Sequence, residues 1–415
     1  MSLLHLAWAS LRNRRLSVIL CMLTIALSIT LLLAVERIRV ETRNSFTRTV
    51  SDTDLIVGAR GSALQLLLYS VFRIGDAPPN FSWESYQQLA AHPDLAWSIP
   101  IALGDSHRGF RVLATDQRYF EHYRYAGGQP LEFSAGVPFT DGSEAVLGSE
   151  VAAALGYALA DPIVLAHGVG RVSFANHSDH PFHVSGILAA TGTPVDRTIH
   201  IDLAGLGAIH RDWQSGAHVP GSGASTEIDH HPDKLTAALL RLNDRVKSAA
   251  MQRQINQFAG EPLTAIQPVV ALQQLWSLMK VAEQALRMVA AMMVASGLLG
   301  MTAVLVSTLG ERRREMAVLR SVGASPAHVL GLLLAEACLL VLVGSIVAIG
   351  LFYAALVSFG PIAQSRYGLQ LSPGMLSAHE VWLLLMVIGA ALVAALLPAL
   401  TAYRQSLSDG LNIRL

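Results

Sequence analysis

The chain has 415 residues, with Lys+Arg and Asp+Glu balanced at 30 each and a formal net charge of zero. That balance excludes any bulk electrostatic case for nucleic acid or an acidic substrate. With 52% hydrophobic and 14% charged residues and a mean hydropathy of +0.43, the composition also falls outside the soluble globular class. The two cysteines, Cys21 and Cys338, both lie in apolar runs, which points to neither a disulfide framework nor a cysteine metal site.

Residues 1–15 are basic, with Arg12, Arg14 and Arg15 directly before an apolar run. Leu3, Leu4, Leu6, Ala7, Trp8 and Leu11 can share one side of a helix, as in an amphipathic segment lying on a membrane surface. Residues 16–36 then read as a first span, since a hydrocarbon core of ~30 Å needs about 20 apolar helical residues. The run exceeds a signal-peptide core of roughly 7–15 residues and has no small-x-small site before Glu36, so it reads as a retained anchor. The mixed-charge stretch Glu36 to Arg48 continues that helix outwards.

Residues 37–284 are a different material, rich in polar residues, Pro, Gly and aromatics, and no run in them is long enough to span. Strand-sized apolar runs bounded by Gly, Pro, Asp or Ser occur at Asp54 to Gly58, Ile99 to Leu103, Phe110 to Leu113, Ala145 to Leu147, Val184 to Leu188 and Thr198 to Leu203. Helical stretches are expected at Trp83 to Ala91, Ser149 to Leu155 and Lys234 to Phe258. The expectation is a large mixed α/β domain with a core of its own, inserted between the first and second membrane helices.

Three more spans follow, at 285–309, 329–358 and 381–402, with a short loop at 359–380 and a tail at 403–415. Between the first two of these lies the charged segment 310–328, within Leu309 to Leu330 (LGERRREMAVLRSVGASPAHVL). Its arginines Arg312, Arg313, Arg314 and Arg320 outnumber the single basic residue Arg366 of the other loop, which puts the hairpin on the cytoplasmic side. The N-terminus and the tail with Arg404 and Arg414 are then cytoplasmic too, and residues 37–284 lie outside. Within the hairpin, Gly323 suits a left-handed helix stop, and Ser325-Pro326 suits an N-cap followed by proline at the first helical position. The hairpin therefore reads as a short helix, a glycine stop and a fresh helix entering the membrane. Its arginines serve either to fix topology or to form a docking helix gripped by a cytoplasmic partner.

The stretch Glu311 to Ser325 (ERRREMAVLRSVGAS) resembles the signature of the FtsX-type ABC permease domain found in MacB, the lipoprotein exporter subunits LolC and LolE, and FtsX. The ending Pro398-Ala-Leu-Thr-Ala-Tyr-Arg404 is similar to the family's proline-closed last span, and Phe182 to Asp196 (FHVSGILAATGTPVD) resembles the strand-and-turn region of MacB-type periplasmic domains. One span, a large outer domain and three more spans is likewise the family layout. MacB itself carries a fused ATPase ahead of its first span, whereas only about 15 residues precede the span here. The resemblance implies a permease subunit in a bacterial inner membrane, working as a dimer of permeases on a separate LolD- or MacB-like ABC ATPase. ATP and Mg would bind that partner and not this chain. Closure of the ATPase would be passed to the outer domain by mechanotransmission, driving export or extraction of a substrate, with a periplasmic adaptor or lipoprotein as a further partner. The alternative is an FtsX-like signalling subunit that activates a periplasmic partner, or a zinc-linked envelope system.

The residues agree on one point: no GxxxxGK[ST] phosphate loop occurs, and none of Lys234, Lys247 and Lys280 follows a glycine. ATPase-coupling roles are expected for Glu311, Arg312, Arg313, Arg314, Glu315, Arg320 and Gly323. Glu336, about two turns into the third span, is either a functional intramembrane carboxylate or a group near the interface that meets water or an arginine. Among 15 histidines, His177, His180, His183, His230 and His231 lie close to Asp179, Asp229 and Asp233, which suits zinc in donor type but in no recognised spacing. No HExxH, GxSxG or outer-domain cysteine nucleophile supports an enzyme.

Overall fold

A computed structural model describes residues 15–49, 52–167, 180–211, 213–214, 217–218, 231–321, 325–367, 371 and 373–408. The chain divides into a helical unit (Met1–Glu41, Lys280–Gln364, Leu371–Leu415) and an α/β unit (Thr42–Met279, Ser365–Gln370).

In chain order the principal elements are α1 (Arg15–Thr49), β1 (Leu55–Ala59), α2 (Ala63–Ser70), α3 (Trp83–Ala90), β2 (Leu95–His107), β3 (Phe110–Thr115), β4 (Phe133–Gly136), β5 (Glu144–Leu147), α4 (Ser149–Leu155), β6 (Phe182–Leu188), β7 (Thr198–Asp202), α5 (Leu203–Arg211), β8 (Ala237–Leu242), α6 (Ser248–Asn256), β9 (Leu263–Ile266), α7 (Pro268–Ser321), α8 (Pro326–Tyr367) and α9 (Ala378–Ser408). Four of the helices, over Val18–Asn44, Pro268–Ser307, Leu330–Ala363 and Ala378–Thr401, are long and apolar enough to cross a membrane. The α/β domain follows the first of them.

Each of the six strand-sized runs lies on a strand, all in one sheet ordered β9-β1-β8-β2-β3-β7-β5-β6-β4. The 13-residue β2 joins its two halves: Leu95 to Ile101 pairs with β8, and Ala102 to His107 pairs with β3. The strands read as continuous apolar runs because both faces are covered. Along β1, Leu55 and Val57 enter one core cluster while Ile56 enters the other; along β5, Ala145 and Leu147 oppose Val146 in the same way.

Lys234 to Phe258 departs from the helical expectation. Its first part, Ala237–Leu242, is a strand paired on both sides, and only Ser248–Asn256 is an α-helix. The sequence AALLRL favours a helix locally. Burial of Ala238, Leu240 and Leu242 on one face and Ala237 and Leu239 on the other outweighs that preference.

In the helical unit, Cys21, Ile25, Ile29 and Leu33 of α1 pack with Met301 and Leu305 of α7, Ala337, Leu340, Val341 and Phe352 of α8, and Val387, Ala391 and Ala395 of α9. Small residues set the approach: a Cβ on Gly297 would lie 2.9 Å from Ser28 Oγ, and one on Gly344 would lie 3.1 Å from Ile25. Ser28 Oγ donates to the Met293 carbonyl at 3.0 Å and Thr30 Oγ1 to the Ala348 carbonyl at 3.1 Å. Pro398 does not end the last helix, which runs on to Ser408. A proline inside such a helix is tolerated where neighbouring groups take up the backbone acceptor it leaves.

Candidate functional site

The charged segment occupies the end of α7. Glu311, Arg312, Arg313, Arg314, Glu315 and Arg320 fall on its last turns, with no break from Pro268 to Ser321, whereas Gly323 lies outside the described residues. The expected separate short helix is therefore the continuation of the preceding membrane helix. Glu, Arg, Met, Ala and Leu are good helix formers, and nothing in the stretch interrupts the backbone ladder. At about 1.5 Å per residue, the 54 residues of this helix extend for about 80 Å. The next helix opens at Pro326, where proline's missing N–H costs nothing. Ser325 Oγ lies 2.6 Å from His328 Nδ1, and the Ser325 carbonyl accepts from the His328 N–H at 2.9 Å. About two turns beyond His328, Glu336 is fully buried, on the stripe of α8 that also buries Leu333, Ala337 and Leu340.

The histidines separate by environment. His180 and His231 line one cavity of about 730 Å³ with Asp141, Ser143, Asp202 and Phe182. Its floor requires glycine: a Cβ on Gly205 would lie 2.1 Å from the Gly142 carbonyl oxygen. His231 is stacked on Trp83 with ring centroids 4.3 Å apart. His183 is exposed on β6, between the buried Phe182 and Val184, and does not line the cavity. His177 and His230 lie outside the described residues. Among the described residues, no group of three or more His, Cys, Asp or Glu stands close enough to hold a metal ion.

Two further histidines carry structural work that a count of histidines does not show. His107 pairs through Nδ1 with the Val164 carbonyl at 2.7 Å and through Nε2 with Tyr157 Oη at 2.9 Å; burial lowers its pKa. His200, in the centre of β7, is fully buried against Tyr119 and Phe120, and burial, with the Arg73 guanidinium nearby, pushes its pKa down to about 3. Beyond β6, the Asp196 carboxylate accepts from Thr191 N and Oγ1, both at 2.8 Å, and from Gly192 N at 2.7 Å. Burial nevertheless raises its pKa. This cradle holds the turn in the segment Phe182 to Asp196.

A polar layer crosses the helical unit. Arg37 Nε and Nη2 donate to the two Glu380 carboxylate oxygens at 2.7 and 2.8 Å, and the two side chains are only 6% and 2% exposed. Arg37 also donates to the Met375 carbonyl at 3.3 Å and stands 5.5 Å from the Phe352 ring centroid. Glu380 accepts from the Ser377 N–H at 2.7 Å while Ser377 Oγ accepts from the Glu380 N–H at 3.2 Å, a reciprocal cap that starts α9. Beside it, Glu36 takes Arg39 in a two-point pair at 2.5 and 3.1 Å and lies 3.3 Å from His379, and Arg39 lies 3.9 Å from Glu283 of α7. Tyr353 of α8 donates to the Gly374 carbonyl at 3.0 Å. The reading of the sequence missed this layer. Its available signal was the recurrence of charge near one end of three apolar helices: Glu36 and Arg37, Glu283 and Arg287, His379 and Glu380.

Comparison with known proteins gives two family matches: the MacB-like periplasmic core domain over residues 18–258 and the FtsX-like permease C-terminal region over residues 287–409. Among solved structures, the periplasmic region of MacB from Actinobacillus actinomycetemcomitans is similar at 10% identity, with 55% of this chain and 94% of that one covered and a TM-score of 0.35. The extracellular domain of the ABC-type transporter YknZ from Gram-positive bacteria is similar at 12% identity, with 51% and 99% covered and a TM-score of 0.31. No curated protein matches.

Proposed function

Because the chain belongs to the MacB-like, FtsX-like permease family of ABC transporters, we propose that it is the subunit that turns ATP hydrolysis by a separate ABC ATPase into movement of its outer domain. On this reading two copies of the chain work with the ATPase in a bacterial inner membrane. Both termini and the segment 310–328 face the cytoplasm, and the α/β domain acts on a substrate, adaptor or lipoprotein in the periplasm.

One observation carries the reading. The charged segment belongs to the same uninterrupted helix as Pro268, which lies in the α/β unit. A continuous helix is an unbroken hydrogen-bonded path from the charged segment to Pro268. On this reading the ATP is bound outside these 415 residues, in which no phosphate loop occurs, and Arg312 to Arg314 with Glu311 and Glu315 are the charged residues the ATPase would hold. The test is the double variant Arg313→Glu/Arg314→Glu, co-expressed with the partner ABC ATPase. The complex is expected to insert normally but to lose most of the permease-dependent part of ATP turnover, about tenfold or more if two docking contacts of ordinary strength are lost. Unchanged turnover would reject these arginines as the docking charges.

A further inference from the structure

The pair Arg37–Glu380 is out of keeping with the interior that holds it. The apolar cluster of the helical unit is built from Ile, Leu, Val, Ala, Met and Phe with Cys21, and among the described residues of that unit the other buried charged side chains are Glu36 and Glu336. A buried ion pair carries a desolvation cost that well-packed apolar side chains of similar volume do not, so stability alone does not account for it. Its geometry supplies what an apolar contact lacks, which is direction. The two-point contact with both carboxylate oxygens fixes the angle as well as the distance between the groups. Glu380 is at the same time the cap residue that starts α9, and Arg37 also holds the Met375 carbonyl in the loop just before it. One arginine of α1 thus grips both the loop and the first turn of α9. The Phe352 ring packs under the guanidinium, and Tyr353 of the same helix secures the loop one residue earlier, at Gly374.

We propose that Arg37 and Glu380 are positioning residues, whose buried two-point pair clamps α1 to the loop and first turn of α9 in a single register, so that movement of either helix is carried by both. This deepens the transmission reading above, and it rests on that reading only for its purpose, because the clamp is made by residues of this chain alone. A sliding contact between apolar helices admits several registers of similar energy, whereas a buried arginine held by two oxygens admits one.

The experiment uses the full-length protein in lipid nanodiscs, with Cys21 and Cys338 replaced by alanine and spin labels at Leu27→Cys of α1 and Leu385→Cys of α9, both of which are exposed on their helices. The variant Arg37→Met/Glu380→Gln removes both charges, while glutamine retains the cap with Ser377. The expected result is a melting temperature at or above that of the parent, together with an α1–α9 distance distribution broadened about twofold or split into two populations. The control Arg39→Gln/Glu283→Gln, which removes the neighbouring Arg39–Glu36 pair within α1 and the longer Arg39–Glu283 contact, is expected to leave the width unchanged. A distribution as narrow as the parent's would overturn the proposal, because the register would then be set without the pair. A large fall in melting temperature or failure to fold would also overturn it, because the pair would then be an ordinary stabilising contact. None of these readouts needs an ATPase, so the clamp can fail while the transmission reading stands, and the reverse.

Discussion

At the scale of single residues, the histidines show how far side-chain identity carries. Their number in the outer domain was plain from the sequence, and donor type alone suggested zinc. Burial then divides them into groups with different chemistry: His180 and His231 face a cavity, while His107 and His200 are satisfied or enclosed within the core. The alternation of Thr198 to Asp202 places His200 opposite Ile199 and Ile201, but only the covering of the second face by Tyr119 and Phe120 decides that it is buried. That covering comes from residues about 80 positions away in sequence, where no local pattern reaches. A consequence follows for acid stability. The His200 pKa is about 3 in the folded chain against 6.5 for an open imidazole, so protonation favours the unfolded state. Its contribution is complete above about pH 6.5 and is lost as the pH falls below it, by on the order of 1.4 kcal/mol per pH unit. Asp196, with its raised pKa, works in the opposite direction, and His107, lowered by burial, adds to the same loss, so the comparison with a His200 variant is what separates this histidine. Denaturant melts of the protein in detergent should show stability falling from pH 7 to 5, and His200→Leu should flatten that slope. An equal slope in the variant would assign the loss to other groups.

At the scale of elements, the strand runs and the long apolar helices were legible because each is written in consecutive residues: apolar runs bounded by turn formers, and charge-free stretches of spanning length. The errors share a cause. Lys234 to Phe258 was read by propensity, and pairing with β1 and β2 overrode it. The charged end of α7 was read as a separate helix because charge marks the edge of a membrane, but a helix does not stop where its solvent changes. Its backbone bonds continue as long as the residues permit, and here they run to Ser321. If that continuity transmits force, weakening it should matter even where no docking residue is touched. Met316→Gly/Ala317→Gly lowers helix stability by about 2 kcal/mol in total, at about 1 kcal/mol per glycine. Insertion and ATPase binding should persist, while the permease-dependent part of ATP turnover and transport falls. Full activity in the glycine variant would show that the end of α7 acts as a docking surface and not as a rigid arm.

At the scale of the whole molecule, the four long apolar helices and the α/β domain after the first were legible in the order of charge-free runs of spanning length along the chain. The polar layer was not evident. Its members come from positions 36–39, 283 and 379–380, and only packing of the helices brings them together. Both features serve one account, in which energy received at the charged end of α7 is delivered as movement of the outer domain. The most direct test labels Val246 of the outer domain, which is 88% exposed, and Leu385 of the helical unit with a spin-label pair. The complex with the ATPase is then compared, in nanodiscs, without nucleotide and trapped with ATP and vanadate. The account predicts a shift in the distance between the labels on trapping, and no shift in the Arg313→Glu/Arg314→Glu variant. An unchanged distance in a parent complex that is hydrolysing ATP would contradict it.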